Sequence, residues 1–456
     1  VLDFGIAAAV HLIHAVVYQL GTDEPAESAF RAALLSPCNQ KQQRWLDLSN
    51  FKASFTDNNC ISSSSTGFFA NNHRQAIKRG TLLSTLSALH FTTNHIFIFL
   101  IWIPSFLSVT LPIYFNHGRP KVRSPNTLNN GKTVPVVGLG TWQSAPDGSV
   151  YRAVRAALEA GYRHLDCAFI YQNEEEIGNA IADSIKEGVV MVKGNNMKLS
   201  LVKLTTAIFQ LKREDLFVTS KIWLTYYRKD RVQLCAKKIL SALKLEYADL
   251  LLLHWPFAFQ QQDENLFPTG ADGKIVGDDV DYLEAYKALE DLVDAGLVRS
   301  IGVSNFNVEQ LKRLLAVARI KPVTNQVELH PYLVQAELKK YCNDNGIVLT
   351  AYSPLGNPGS AVNSASDKDK LLKDPVVGKL ATKYGKNAGQ ILIKYQVASG
   401  NLVIPKSVTK ERIASNIQIF DFELTKEEVA ELAALDRNYR SCGFEMTSHL
   451  KNYPFA

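Results

Sequence analysis

Cysteine is scarce in this chain, and what there is does not cluster. Six cysteines (Cys38, Cys60, Cys167, Cys235, Cys342 and Cys442) are spread over 456 residues, with no C-x-x-C pair and no histidine at metal-ligand spacing. The pattern argues against a zinc module or a disulfide scaffold and for free thiols in a reducing compartment, so no metal site is expected. No G-x-G-x-x-G follows the first strand-like run, which excludes a dinucleotide site of the Rossmann type. Blocks of like charge are missing as well. The formal net charge is +6, but Lys/Arg and Asp/Glu are interspersed through the second half. That suits a solvated surface with a local anion site rather than a nucleic-acid stripe.

Charge is absent altogether between Arg79 and Arg119, and the run 96–115 is almost wholly apolar. Its length would span a bilayer. Against a span, Pro104 and Pro112 interrupt the run, and basic residues flank it equally (Arg74, Lys78 and Arg79 before; Arg119, Lys121 and Arg123 after), so no orientation is assigned. The apolar start, 1–17, has no basic residues ahead of it and makes a poor signal peptide. The Ser-rich 62–65 and the polar stretch at Asn71, Asn72 and His73 read as linker. Two readings of 1–123 stay open: a poorly ordered extension, or one partly associated with a membrane through 96–115. No residue in it carries recognisable chemistry.

From 124 onward short Val/Ile/Leu-rich runs alternate with helical patterns, which predicts βαβ units and a parallel sheet. Strands are expected at 136–139, 164–167, 217–222, 249–254, 300–303, 324–328, 348–352 and 402–405. Helices are expected at 150–160, 232–243, 282–295, 308–318, 336–345 and 388–398. Eight strands with eight crossovers in about three hundred residues fit a (β/α)8 barrel, an α/β class, better than an open doubly wound sheet. One segment does not belong. Removing 191–211 would join an ordinary helix, turn and strand, and the stretch has no acidic residue but two of the three methionines. It is either an inserted surface loop on the barrel face away from the chemistry or extraneous sequence.

Four residues at or just past strand ends suggest a reaction. Asp166 ends the second strand, Tyr171 follows it, Lys221 lies in the third, and His254 ends the leucine run of the fourth. A tyrosine hydroxyl ionises near pH ~10, and a neighbouring ammonium favours the phenolate and eases proton donation. A carboxylate can hold that ammonium, and an imidazole can orient the carbonyl that receives the proton. Alone, such a tyrosine is more often a packing residue and such a histidine a satisfied core group. Lys221 could instead be a Schiff-base lysine, although pairing with Asp166 would keep it protonated and a poor nucleophile. Trp142, Trp223 and Trp255 are candidate apolar pocket walls or ordinary core aromatics.

These segments, together with Gly138-Leu139-Gly140-Thr141-Trp142, Gly302-Val303-Ser304-Asn305-Phe306, Asn325-Gln326-Val327-Glu328, Tyr352-Ser353-Pro354-Leu355-Gly356 and Ile404-Pro405-Lys406-Ser407-Val408, resemble the aldo-keto reductase superfamily, and more closely its aldehyde and aldose reductase branch. The resemblance covers 124 to the C-terminus, with all motifs in order. It implies NADPH as cofactor. Ser304, Asn305 and Gln326 match positions that hydrogen-bond the nicotinamide carboxamide, and Tyr352 matches the residue stacked under the ring. Ser353 and Leu355 match pyrophosphate contacts, although Asn357 replaces a frequent serine. Lys406 and Arg412 would grip the 2′-phosphate, with Ser407, Val408 and Asn416 around the adenosine. Ser415 stands where the family often has Glu. The tail around Cys442 resembles the specificity loop, but its middle, 443–446, departs from the family pattern.

The resemblance thus implies a cytoplasmic, monomeric enzyme of small-molecule carbonyl substrates. It would reduce aldehydes, with ketones and sugar aldehydes included, and take no nucleic-acid partner. A regulatory or structural protein that reuses the barrel is the alternative, and the intact tetrad speaks against it. A phosphate-binding isomerase or aldolase is disfavoured by Ser304, Asn305, Gln326 and Tyr352.

Overall fold

The computed structural model describes residues 126–187, 211–358 and 371–455. The expectations for 1–123, the apolar run 96–115 included, and for 191–210 lie outside these residues. Leu211, the last residue of the segment set apart above, is buried in the core.

A hairpin of β1 (Asn126–Thr127) and β2 (Thr133–Val134) precedes the barrel. Then follow β3 (Leu139–Gly140), α1 (Ser149–Ala160), β4 (His164–Asp166), α2 (Glu174–Glu187), β5 (Phe217–Ile222), α3 (Lys229–Ala242) and β6 (Leu250–Leu253). A second hairpin, β7 (Ala258–Phe259) with β8 (Gly277–Asp278), interrupts before α4 (Tyr282–Asp294), β9 (Ile301–Ser304), α5 (Val308–Leu315) and β10 (Thr324–Glu328). The chain goes on through α6 (Ala336–Asp344), β11 (Val348–Tyr352), α7 (Pro375–Tyr384), α8 (Ala388–Ala398), β12 (Leu402–Val403), α9 (Lys410–Asn416) and α10 (Lys426–Ala433).

The eight crossover strands pair in parallel in the order β3-β4-β5-β6-β9-β10-β11-β12. The ends meet: Gly138 N donates to Val403 O at 2.9 Å, Gly140 N donates to Pro405 O at 3.1 Å, and Val137 bridges Val403 in parallel. The sheet therefore closes into the expected (β/α)8 barrel. Closure explains the composition of β6, four consecutive buried leucines, because a parallel strand between barrel interior and helices has no wet face. The helix starts are written locally. Asn307 with Gln310, Asn387 with Gln390 and Thr425 with Glu428 form reciprocal capping boxes.

Register brings the candidate residues to one rim. Asp166 pairs with Gly140 and Thr219, Lys221 with Leu252, Gln326 with Ser304, and Tyr352 with Glu328, while Gly140 bridges Lys406. All lie at the C-terminal strand ends, the rim where barrels of this kind carry chemistry. The eight strands fall where the sequence pattern predicts them. The β7–β8 hairpin, α7 and α10 do not stand out in the pattern, since strands of two residues have no periodicity to read. Among the described residues no helix is long and apolar enough to cross a membrane.

Helix packing imposes one tight contact between α2 and α3. A Cβ on Gly178 of α2 would stand 2.5 Å from Ala242 O and 2.7 Å from Leu243 C at the end of α3, both backbone atoms. Replacing a helical glycine by alanine normally gains roughly 1 kcal/mol of propensity. Overpacking against backbone that cannot rotate away costs about 1–3 kcal/mol or more. Gly178→Ala is therefore expected to lower the denaturant midpoint at unchanged slope. An unchanged or higher midpoint would show that these helices can part freely.

Candidate active site

The four candidate residues converge. Lys221 Nζ, fully buried in β5, donates to Asp166 Oδ1 at 2.7 Å, to the Cys167 carbonyl at 2.8 Å and to the Tyr171 hydroxyl at 3.3 Å. An ammonium has three N–H donors, so all are engaged. Because Tyr171 accepts from Lys221, its own O–H stays free to point into the cleft. The His254 ring meets the Tyr171 ring edge-on at a centroid distance of 6.0 Å. His254 Nδ1 is buried with no partner among the described residues, and Nε2 makes no hydrogen bond among them either.

Burial and charge set the protonation states. Burial alone would lower Lys221, but Asp166 and Tyr171 reverse this and hold its pKa above the ordinary lysine value. A permanently protonated lysine with all donors engaged is no Schiff-base nucleophile, so that alternative loses its ground. Burial, then the Lys221 charge, push His254 well below the usual histidine range and keep it neutral. For Tyr171 the balance differs from the sequence-based expectation. Burial is the largest influence and outweighs the opposing pull of Lys221, so the phenol is pushed up to about 12. The proton is thus firmly held at neutral pH, with Lys221 limiting the rise rather than producing a depressed value.

The cofactor candidates form one cluster joined to the tetrad and two loops beside it. Gln326 Nε2 donates to Asp166 Oδ2 at 2.7 Å and Ser304 Oγ to Gln326 O at 2.8 Å. Asn305, with a left-handed φ of 63°, donates from Nδ2 to the His254 carbonyl at 3.1 Å and accepts from Tyr352 OH at 2.8 Å. Ser353 and Leu355 follow β11. Lys406, Ser407 and Val408 follow β12, and Arg412 and Asn416 lie on α9. Neither Lys406 nor Arg412 has a carboxylate partner among the described residues. Lys406 Nζ donates only to the Gln143 carbonyl, at 3.1 Å, and burial lowers its pKa. Two unpaired cations beside a polar barrel rim are what a phosphate-bearing dinucleotide requires, so the residues fit NADP.

The pocket walls resolve the tryptophans individually. Trp223 lies against His254 with ring centroids 5.4 Å apart, and its indole N–H donates to Leu266 O at 2.8 Å. Trp142, 37% exposed, stands at the end of β3. Trp255 is buried against Phe257, Phe444 and Phe455 and backs the wall from behind. Cys442 Sγ lies 3.5 Å from Asn357 Nδ2 and 3.8 Å from Ser353 Oγ, which ties the tail to the loop after β11.

Sequence reading missed three participants. Phe444 joins Trp223 and Trp255 in the wall, Phe267 packs on Trp223 at 5.3 Å, and buried Glu174 accepts from Ser220 Oγ at 2.6 Å just behind Lys221. Glu174, directly after Tyr171-Gln172-Asn173, and Phe444, within the tail that resembles the specificity loop, carried a usable signal. Phe267 lies in an irregular segment without periodicity.

Comparisons with known proteins agree with this geometry. The sequence model of the aldo/keto reductase family matches residues 136–437. The chain is 44% identical over 337 residues to aldo-keto reductase family 1 member A1 of Gallus gallus, covering 72% of this chain and 96% of that protein. The Homo sapiens protein of the same name is 45% identical over 313 residues, 69% of this chain and 89% of its own. Among solved structures, the aldose reductase of Schistosoma japonicum superposes with a TM-score of 0.64 at 39% identity, covering 73% of this chain and 99% of that one. An aldo-keto reductase of Bombyx mori in complex with NADP gives 0.61 at 39% identity, with the same coverage.

Glu174 makes the site's stability sensitive to pH. Burial raises its pKa from 4.5 to about 7, against the lowering influence of Ser220 and Lys221. A raised carboxyl pKa means that the folded state binds the extra proton. Its contribution is complete below about 4.5 and is lost as pH rises through about 7. Glu174→Gln keeps an acceptor for Ser220 and removes the titration. Relative to wild type, the variant should gain nothing at pH 4 and up to about 3 kcal/mol at pH 8 in chemical denaturation. A difference that does not vary with pH would refute the assignment.

Proposed function

Since this chain belongs to the aldo/keto reductase family and catalyses NADP-dependent reduction of carbonyl compounds, we propose that its substrates are aldehydes, reduced to alcohols with Tyr171 as the proton donor. The observation that carries the proposal is the complete use of the Lys221 N–H groups, which leaves the Tyr171 O–H as the free proton beside His254. The likeness to an aldose reductase of 39% identity supports an aldehyde rather than a ketone as the first choice.

When bound, NADPH supplies the hydride. The residues do the rest. His254, neutral, donates from Nε2 to the carbonyl oxygen and fixes the orientation of the carbon. Tyr171 OH donates to the same oxygen and releases its proton as negative charge develops there, because an alkoxide is far more basic than a phenolate. The phenolate left behind is stabilised by Lys221, whose charge Asp166 holds in place and Gln326 in turn orients through Oδ2. Ser304, Asn305, Gln326 and Tyr352 are assigned to the nicotinamide end, Ser353 and Leu355 to the pyrophosphate, and Lys406 and Arg412 to the 2′-phosphate. Ser407, Val408 and Asn416 are assigned to the adenosine. All of these groups, and the pocket walls, fall within 124–456, which we assign as the catalytic unit.

Tyr171→Phe should abolish turnover while NADPH binding, followed by fluorescence titration, stays close to wild type, since only the hydroxyl is removed. Retention of more than about a tenth of kcat, roughly 1.4 kcal/mol in the barrier, would exclude Tyr171 as the donor. The double change Lys406→Ala with Arg412→Ala should reduce the preference for NADPH over NADH by at least about a hundredfold in kcat/KM. Charge-assisted contacts contribute ~1.5–3 kcal/mol each and need not add. Equal wild-type kcat/KM with both cofactors would sink the phosphate assignment outright.

A further inference from the structure

The tail that follows the barrel is clamped at its start by a carboxylate that the chemistry above does not use. Glu328, the last residue of β10, is fully buried. One partner, His330 Nε2 at 3.0 Å, is local and equally buried. The others arrive from over a hundred residues downstream. Ser441 N donates to Oε1 at 2.9 Å and to Oε2 at 3.1 Å, Cys442 N donates to Oε2 at 3.0 Å, and Ser441 Oγ donates to Oε1. A buried carboxylate is costly unless each oxygen is satisfied, so this clamp has one low-energy arrangement.

The residues just beyond the clamp reach the pocket. Phe444, in a left-handed conformation at φ 57°, packs its ring 5.1 Å from Trp255 and 6.4 Å from Trp223. Trp223 in turn lies against His254. The far end of the tail is held to the barrel by Gln310 Nε2 on Asn452 O at 2.7 Å, Asn307 Nδ2 on Pro454 O at 3.2 Å and His449 on Ile275 O at 2.9 Å, and Tyr453 OH donates back to Gly443 O, beside Phe444, at 2.7 Å. Loosening the clamp would therefore shift the wall without detaching the tail.

We propose that Glu328 is a positioning residue for substrate selection: by fixing Ser441 and Cys442 it sets where Phe444 stands, and so governs the fit of bulky aldehydes while leaving small ones unaffected. The proposal rests on the carbonyl-reductase reading of the site. The tetrad lies on β4 and β5 and just past the ends of β4 and β6, and it shares no hydrogen bond with the clamp, so the predicted effect is selective.

The test uses the full chain with propanal and 2-naphthaldehyde at saturating NADPH. Wild-type turnover of both is read first. Failure of the functional reading shows there, as no turnover, and failure of the clamp shows only in the variants. Glu328→Gln keeps the volume but replaces an acceptor oxygen by an N–H donor facing other donors. It should raise KM for 2-naphthaldehyde about tenfold, with kcat, both propanal constants and NADPH affinity within about twofold. Ser441→Ala, which removes one donor and leaves the buried carboxylate in place, should move the same KM by about threefold even if the first variant folds poorly. Combined with Phe444→Ala, Glu328→Gln should add nothing further, because both act through the same ring. Parallel losses for the two aldehydes, no loss for either, or additive effects in the double variant would each overturn the proposal.

Discussion

A lysine ammonium with no exposure to solvent is the constraint around which the site is organised. Removing such a charge from water costs several kcal/mol unless every donor is met. Lys221 meets this by engaging Asp166, the Cys167 carbonyl and Tyr171 together. Each partner must then be placed to within a few tenths of an ångström. Asp166 is placed by its register against Gly140 and Thr219 and by Gln326 on its second oxygen. Tyr171 is placed by the turn after β4, where Asn173 holds the carbonyls of Thr141 and Ser144 at 3.0 and 2.9 Å. Residues from the first, second, third and sixth barrel strands or the loops that follow them thus answer to one buried charge.

Barrel closure makes this economical. The sheet has no edge, so the C-terminal strand ends form a fixed ring, and a residue's strand number and register give its place on it. The consequence extends to the cofactor residues. Asn305, immediately after β9, reaches the His254 carbonyl on one side and Tyr352 on the other, which couples substrate-orienting and ring-stacking positions through one amide. Its left-handed backbone is tolerated because asparagine enters that region more easily than most residues.

The fold was legible in the sequence where periodicity is strong. The unbroken leucines of 250–253 fit a strand buried on both faces, and the amphipathic run from Tyr282 fits the helix that Asp281 caps. The tetrad was legible because Asp166, Lys221 and His254 interrupt otherwise apolar strand ends. What could not be read depends on contacts between distant segments. No local pattern says that Gln326 donates to Asp166 or that Phe444 packs on Trp223. The tyrosine's pKa was misjudged for the same reason: the Lys221 neighbour is visible in the motif, whereas the enclosure that outweighs it is a property of the assembled barrel.

The buried carboxylates show how the number of donors, rather than depth, decides what such a group does. Glu174 has a single hydroxyl within reach and is pushed up to about 7, so near neutral pH it exchanges its proton instead of carrying a fixed charge. Glu328 is at least as deeply enclosed, and burial would raise it too. His330 and the donors of Ser441 and Cys442 nevertheless bring it below the ordinary glutamate value. A permanently ionised carboxylate demands fixed donors, and a titrating one tolerates movement. Of the two, only Glu328 can act as a rigid joint between barrel and tail, and it occupies the one place where the tail leaves for the substrate pocket.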